Sequence, residues 1–230
     1  MITVQDKPTL DFAFVLAASV HDMKNSIGML LQTLENLSEL SVPPPVAEEM
    51  GVLGYEAARI NSELVQLLSL YRLQENTLLL QVDEHYVDDV LSEQVARNEL
   101  MFRSRSIELT YTCDPQLLWY MDAELVGGVV NNLLVNAARY CRQQVALSAS
   151  LHEGELQIVV ADDGAGFPEN MLAEPVETSA SVSFATGSTY LGLYFAAQVA
   201  RLHVNQSRAG HIYLRNGPPL GGGKAVLCLP

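Results

Sequence analysis

VVADDGAGFPEN, residues 159–170, decides the reading of this chain: an apolar stretch runs into two acids and then into a glycine turn. A strand of period two that carries Val160 inward also carries Asp162 inward and turns Asp163 the other way. An inward carboxylate has to be met by a hydrogen-bond donor. Gly164 and Gly166, on either side of Ala165, permit a turn in which backbone approaches a ligand closely. The same letters also describe an acidic turn between two strands, so the pattern takes its meaning from its neighbours.

Upstream, VALSASLHEGELQIVVADD reads as two strands around a turn at Glu153 and Gly154, and residues 122–142 as a helix. Before them come a short strand, a helix near 86–104 and a strand near 107–112. Downstream, residues 163–189 are rich in Gly, Ser, Thr, Ala, Glu and Pro and suit a loop over a site. A helix at about 190–203 and two strands, HIYLRN and KAVLCLP, end the chain, with GGG at 221–223 read as a turn. Strands interleaved with helices predict an α/β sandwich with a mixed sheet over residues 82–230.

The first 76 residues have another texture. Phe12, Leu16, Ser19, Met23, Ile27, Leu30, Leu34 and Leu37 recur mostly at intervals of three and four, as one helix with a single seam requires. Thr9 or Asp11 is placed to cap its start. Prolines 43–45 break it, and a second helix runs from about 46 to 76 with Met50, Leu53, Ala57, Ile60, Leu64, Leu67 and Tyr71 in heptad spacing. The pair forms an antiparallel helical hairpin, and a homodimer closing a four-helix bundle would bury both seams.

Composition bounds the function. Twenty-seven acidic and 13 basic residues give a net charge of −14, with acids in excess along the whole chain. That balance excludes a nucleic-acid partner held by counterion release. Cys113, Cys141 and Cys228 are an odd and widely separated set that resembles neither a secreted disulfide framework nor a zinc cluster. The apolar run at 12–20 is too short to span a bilayer, so the expectation is a cytoplasmic protein with no direct membrane insertion.

Two further constellations carry polar groups that packing does not ask for. HDMKN, 21–25, sets Asp22, Lys24 and Asn25 around His21 on the first helix. A neutral imidazole there can attack a phosphoryl group, with Asp22 orienting it or taking its proton and Asn25 positioning water or the transferred group. An exposed surface histidine fits equally well. NNLLVNAARY, 131–140, sets Asn132 and Asn136 one helical turn apart, able to offer carbonyl oxygens to a hydrated magnesium ion. Capping or surface amides would look the same, and Arg139 either meets phosphate or is solvated. For Asp162, the exocyclic amine of adenine is a suitable donor. Gly187 to Gly192 precede a helix whose first backbone N–H groups can receive phosphate.

In order, HDMKN, NNLLVNAARY, DDGAGF and GSTYLGLYF resemble the phosphoacceptor motif, asparagine box and two glycine boxes of the transmitter core of bacterial two-component sensor histidine kinases. The resemblance covers about residues 10–230. It implies a dimeric helical phosphoacceptor domain, residues 1–76, followed by an ATPase-like domain of the gyrase and Hsp90 type, residues 82–230. It also implies ATP-dependent autophosphorylation of His21 and transfer to an aspartate of a response-regulator receiver domain. With no sensor segment before residue 10, the expectation is a stimulus brought by a separate sensor protein, or no direct stimulus. Asp22 and Asn25 would assist His21. Asn132, Asn136, Arg139, Asp162, Gly164, Gly166, Gly187 and Gly192 would bind ATP, with Asn136 as magnesium ligand. Departures stand at Ser26 for proline, at Ser188 and Tyr190 for glycines, and at His203, Val204 and Asn205 for histidine-glycine-glycine. Tyr190 adds bulk and loses left-handed backbone angles where the chain should approach phosphate. The alternative these departures imply is a histidine phosphotransfer adaptor whose ATPase-like domain does not use ATP.

Overall fold

The computed structural model describes residues 12–38, 40, 42–74, 78–172 and 189–230, without the side chains of 12–17, 35, 38, 48, 74, 189 and 190. An N-terminal helical region is followed by an α/β sandwich. The helices α1 (Phe12–Ser38) and α2 (Pro44–Gln74) pack on each other. The first helix ends at Ser38, five residues before the prolines, and the prolines begin the second. Pro44 and Pro45 sit in the first turn of α2, where a missing N–H and a fixed φ cost nothing. The proposed caps at Thr9 and Asp11 lie outside the described residues.

The sandwich contains β1 (Asp83–Tyr86), α3 (Val87–Ser104), β2 (Glu108–Thr112), β3 (Leu118–Met121), α4 (Ala123–Tyr140), β4 (Gln144–His152) and β5 (Glu155–Asp162). It continues with α5 (Thr189–Leu202), the short hairpin β6 (Val204–Asn205) and β7 (Arg208–Ala209), β8 (His211–Asn216) and β9 (Gly223–Leu229). The main sheet has the order β2-β4-β5-β9-β8, parallel between β2 and β4 and antiparallel elsewhere. Sequence periodicity missed β3, which pairs with β1 in a separate two-stranded ribbon: four residues with no turn-delimited run give no usable period.

Alternation fixes which face is dry. Val145, Leu147, Leu156, Ile158, Val160, Ile212, Leu214, Ala225, Leu227 and Leu229 are buried and join the core with α4 and α5. The turn between β4 and β5 falls at Glu153 and Gly154, both with positive φ, as a two-residue hairpin requires.

Asp122 is the joint that sets α4. Its Oδ1 accepts from Leu125 N at 3.0 Å, capping the helix, and its Oδ2 accepts from Gln81 N at 2.9 Å. The N–H of Asp122 donates to His203 Nε2 at 3.0 Å, while His203 Nδ1 lies 2.8 Å from the Val199 carbonyl. His203 therefore ties the end of α5 to the start of α4. Asp122→Ala removes the cap and leaves the Gln81 N–H unpaired. It should lower stability by about 1–2 kcal/mol, measured as a fall of several degrees in thermal unfolding.

Candidate functional site

Between α4, α5 and the ends of β5 and β9 lies a slot lined by Leu133, Asn136, Ala137, Tyr140, Val160, Asp162, Gly166, Phe167, Leu193, Gly223 and Ala225. Its walls are apolar, and Asp162 is the charged group in it. The carboxylate is buried, as the Val160/Asp162 alternation predicts. Oδ1 accepts from Gly164 N at 2.7 Å and from Gly223 N at 3.3 Å, and Oδ2 takes part in neither bond. Asp163 points away, its carboxylate accepting from the N–H groups of Arg142 and Gln143 at the α4–β4 connection.

Glycines make this wrapping possible. A Cβ on Gly164 would meet the Tyr140 carbonyl, one on Gly222 the Asp162 carbonyl at 2.5 Å, and one on Gly223 Asp162 Oδ2 and the Phe167 ring at 2.9 Å. Gly222 N also donates to the Asp162 carbonyl at 3.1 Å. The triple glycine at 221–223, read from sequence as a plain turn, is thus the second wall around the acid. Its only sequence signal was a glycine cluster against a strand. Gly166, at φ +81°, turns the chain so that Asn216 can hold Phe167. Asn216 Oδ1 accepts from Phe167 N at 2.7 Å, and its Nδ2 donates to Phe167 O at 2.8 Å. Sequence reasoning missed Asn216, which comes from a strand 49 residues away.

Burial pushes the Asp162 pKa above the ordinary carboxylate range. The Gly164 and Gly223 N–H bonds oppose this, and the Asp163 charge adds to it. For Asp163, slight burial raises the pKa, but the backbone donors of Gln144, Gln143 and Arg142 outweigh it and lower it.

The two asparagines part company. Asn136 lines the slot. Asn132 is buried at the junction of α4 with α2 and α5, where its Oδ1 accepts from Gln66 Nε2 at 2.9 Å and from Asn136 Nδ2 at 3.5 Å. Gly192 is buried against Asn132: a Cβ there would meet its amide. The Arg139 guanidinium lies 5.4 Å from the ring of Tyr140, which lines the slot. Tyr190 occupies the first turn of α5, a backbone conformation open to any residue, so the expected loss of left-handed angles does not arise. Gly187 and most of the 163–189 loop lie outside the described residues. His21, Asp22, Lys24 and Asn25 are exposed on α1, Ser26 Oγ donates to the Asp22 carbonyl at 3.0 Å, and α1 runs on through Ser26, the position at which the resembled motif has proline.

The model of the Histidine kinase-, DNA gyrase B-, and HSP90-like ATPase family matches residues 121–230. Those residues form a histidine-kinase-like ATPase domain. Beyond the domain itself, the virulence sensor histidine kinase PhoQ of Salmonella typhimurium is 24% identical over 150 residues, 65% of this chain and 30% of that protein. Sensor protein PhoQ of Escherichia coli O157:H7 is 23% identical over 194 residues, 84% of this chain and 39% of that protein. The chain thus spans well under half the length of these relatives. Among solved structures, full-length ShkA in complex with AMPPNP superposes with a TM-score of 0.58 at 18% identity, over 94% of this chain and 45% of that one. The cytoplasmic segment of histidine kinase QseC gives 0.52 at 22% identity, over 77% and 93%. At such identities the likeness is one of fold, and it extends from the ATPase domain into the helical region. Among the described residues, no helix is long and apolar enough to cross a membrane.

The raised pKa of Asp162 has a stability consequence. The folded state binds this proton more tightly than the unfolded state does, so ionising the acid costs folding free energy above the raised pKa, and the cost fades as pH falls through it. Asp162→Asn keeps an acceptor for Gly164 N and should melt at or above the parent temperature at neutral pH. The gap should narrow on acidification toward the ordinary carboxylate pKa of about 4, as followed by thermal denaturation across pH.

Proposed function

We propose that this chain is an ATP-dependent protein histidine autokinase that passes the phosphoryl group from His21 to an aspartate on a response-regulator receiver domain. The observation that carries this reading is the Asp162 carboxylate: one oxygen is pinned by two backbone N–H groups, and the residue lines an otherwise apolar slot. That arrangement suits a flat heterocycle with an exocyclic amine, which is adenine's chemistry.

In this reading Gly164, Gly166 and the walls of the slot hold adenine, Gly187 and Gly192 belong to the phosphate side, and Arg139 meets phosphate. The Asn136 amide holds hydrated magnesium, with Asn132 positioning Asn136. Magnesium supplies neutralisation of phosphate oxygens that a chain of net charge −14 otherwise lacks. A ring nitrogen of neutral His21 forms a bond to the γ-phosphorus as the bond to the bridging oxygen breaks and ADP leaves. Asp22 takes the imidazole proton, and Asn25 orients the transferred group. The site of action is the cytoplasm, where ATP and receiver domains meet.

The hairpin supports a homodimer. Met23, Leu30 and Leu37 on α1, and Leu53, Ile60 and Leu67 on α2, are 39–58% exposed in the single chain. Each trio repeats every seven residues, so each helix carries an uncovered apolar stripe of the kind a second hairpin covers in a four-helix bundle.

Incubation with γ-labelled ATP and magnesium should place an acid-labile label on the parent and none on His21→Gln. Absence of label on the folded parent, with His21 labelled instead from a phosphorylated receiver, would replace the autokinase with the phosphotransfer adaptor. For the dimer, Ile60→Glu puts a charge where the single chain exposes its side chain, so the monomer should fold while association is lost. Light scattering should read a dimer for the parent and a monomer for the variant, with unchanged helical circular dichroism.

A further inference from the structure

The helices cover one face of the main sheet, and on the other face three side chains from three adjacent strands converge. His211 of β8 is the register partner of Cys228 of β9, and Cys228 is the partner of Gln157 of β5. Glu155, two residues before Gln157, shares its face by the period of two. One ligand atom each from Glu155, His211 and Cys228 lies within 4.8 Å of the others, with Cys228 buried and the other two half-buried.

We propose that Glu155, His211 and Cys228 form a binding site for a divalent transition-metal ion, with zinc as the best chemical match. Imidazole nitrogen, thiolate sulfur and carboxylate oxygen are zinc's own ligand types, whereas magnesium and calcium call for oxygen alone. Zinc–ligand bonds of about 2.0–2.3 Å separate tetrahedral ligand atoms by roughly 3.3–3.8 Å. Ladders β5–β9 and β9–β8 already hold the three Cα positions, so the ligands are brought together before metal arrives. His211 also stacks on Tyr213, with centroids 6.1 Å apart and planes inclined by 23°, which restrains its ring.

The competing cation is Arg208, whose Nη1 lies 3.8 Å from Glu155 Oε1 and whose side chain is 63% exposed. So long and solvated a pair is weak and readily displaced. Three protein ligands leave one tetrahedral position for water or an outside donor. Even-numbered β5 residues, Asp162 among them, face the helices, so the metal site lies on the opposite face from the slot. Metal binding is therefore separable from nucleotide binding. Spacing along the chain hides the site, because each ligand comes from a different strand.

The test uses the untagged full chain, reduced with a phosphine, and cobalt(II) as a spectroscopic stand-in. Cobalt should give a thiolate charge-transfer band with intense tetrahedral d–d bands, discharged by one equivalent of zinc per chain. Cys228→Ser should lose the charge-transfer band, and Cys113→Ser/Cys141→Ser should keep it. Because Cys228 is buried, the half-buried His211→Asn supplies a second variant that leaves the core intact. Loss of even an outer-shell partner typically costs about 10- to 100-fold in metal affinity. Zinc affinity of His211→Asn, by chelator competition, should therefore fall at least about tenfold while the metal-free protein melts as the parent does. Absence of the thiolate band, its survival in Cys228→Ser, or unchanged zinc affinity in His211→Asn would each overturn the assignment.

Discussion

A carboxylate buried at the end of β5 imposes the main constraint on this site. Ionised Asp162 cannot stay in an apolar wall without donors, and the chain supplies them from backbone on two sides: Gly164 just beyond the strand and Gly223 at the start of β9. Each charge-assisted bond is worth about 1.5–3 kcal/mol, and two of them still leave the carboxyl pKa raised. The residual cost is what makes the acid receptive to a further donor.

That constraint also explains which parts of the molecule were legible in the sequence. Asp162 was readable because strand alternation is local, as were the hairpin turn at Glu153 and Gly154 and the span of each long helix. The walls around Asp162 were not. Gly222, Gly223 and Asn216 reach it or its loop from strands far along the chain, and a glycine cluster announces tolerance of close approach without saying to what. Tyr190 shows the reverse case: a substitution for glycine in a family pattern suggested that left-handed backbone angles were needed, yet its position is ordinary helix. A motif records residue types, and only the backbone at each position says whether the glycine was needed there.

Asn132 and Asn136 extend the same lesson to the helices. A spacing of four places both amides on one face of α4, but that face spans two environments. One end meets the slot, and the other meets α2 and the α5 backbone at Gly192. Gly192 thus makes room for the Asn132 side chain. Close packing against the Asn132 amide is what the missing side chain at Gly192 permits.

The resulting chain of amides, Gln66 to Asn132 to Asn136, joins the helical hairpin to the wall of the slot. Gln66 also donates to Ser62, so its amide is held from its own helix as well. Both Gln66 and Asn132 are buried, and each already has one atom without a partner, Gln66 Oε1 and Asn132 Nδ2. Separating α2 from α4 without admitting water would orphan another donor and acceptor, at about 1–3 kcal/mol for each buried group. With water admitted, the cost largely vanishes and the amides gain the partners they lack. The contact is consequently strong enough to orient Asn136 while the hairpin is docked and too poorly satisfied to hold the two units together by itself. Apolar packing of α2 on α3, α4 and α5 has to do that.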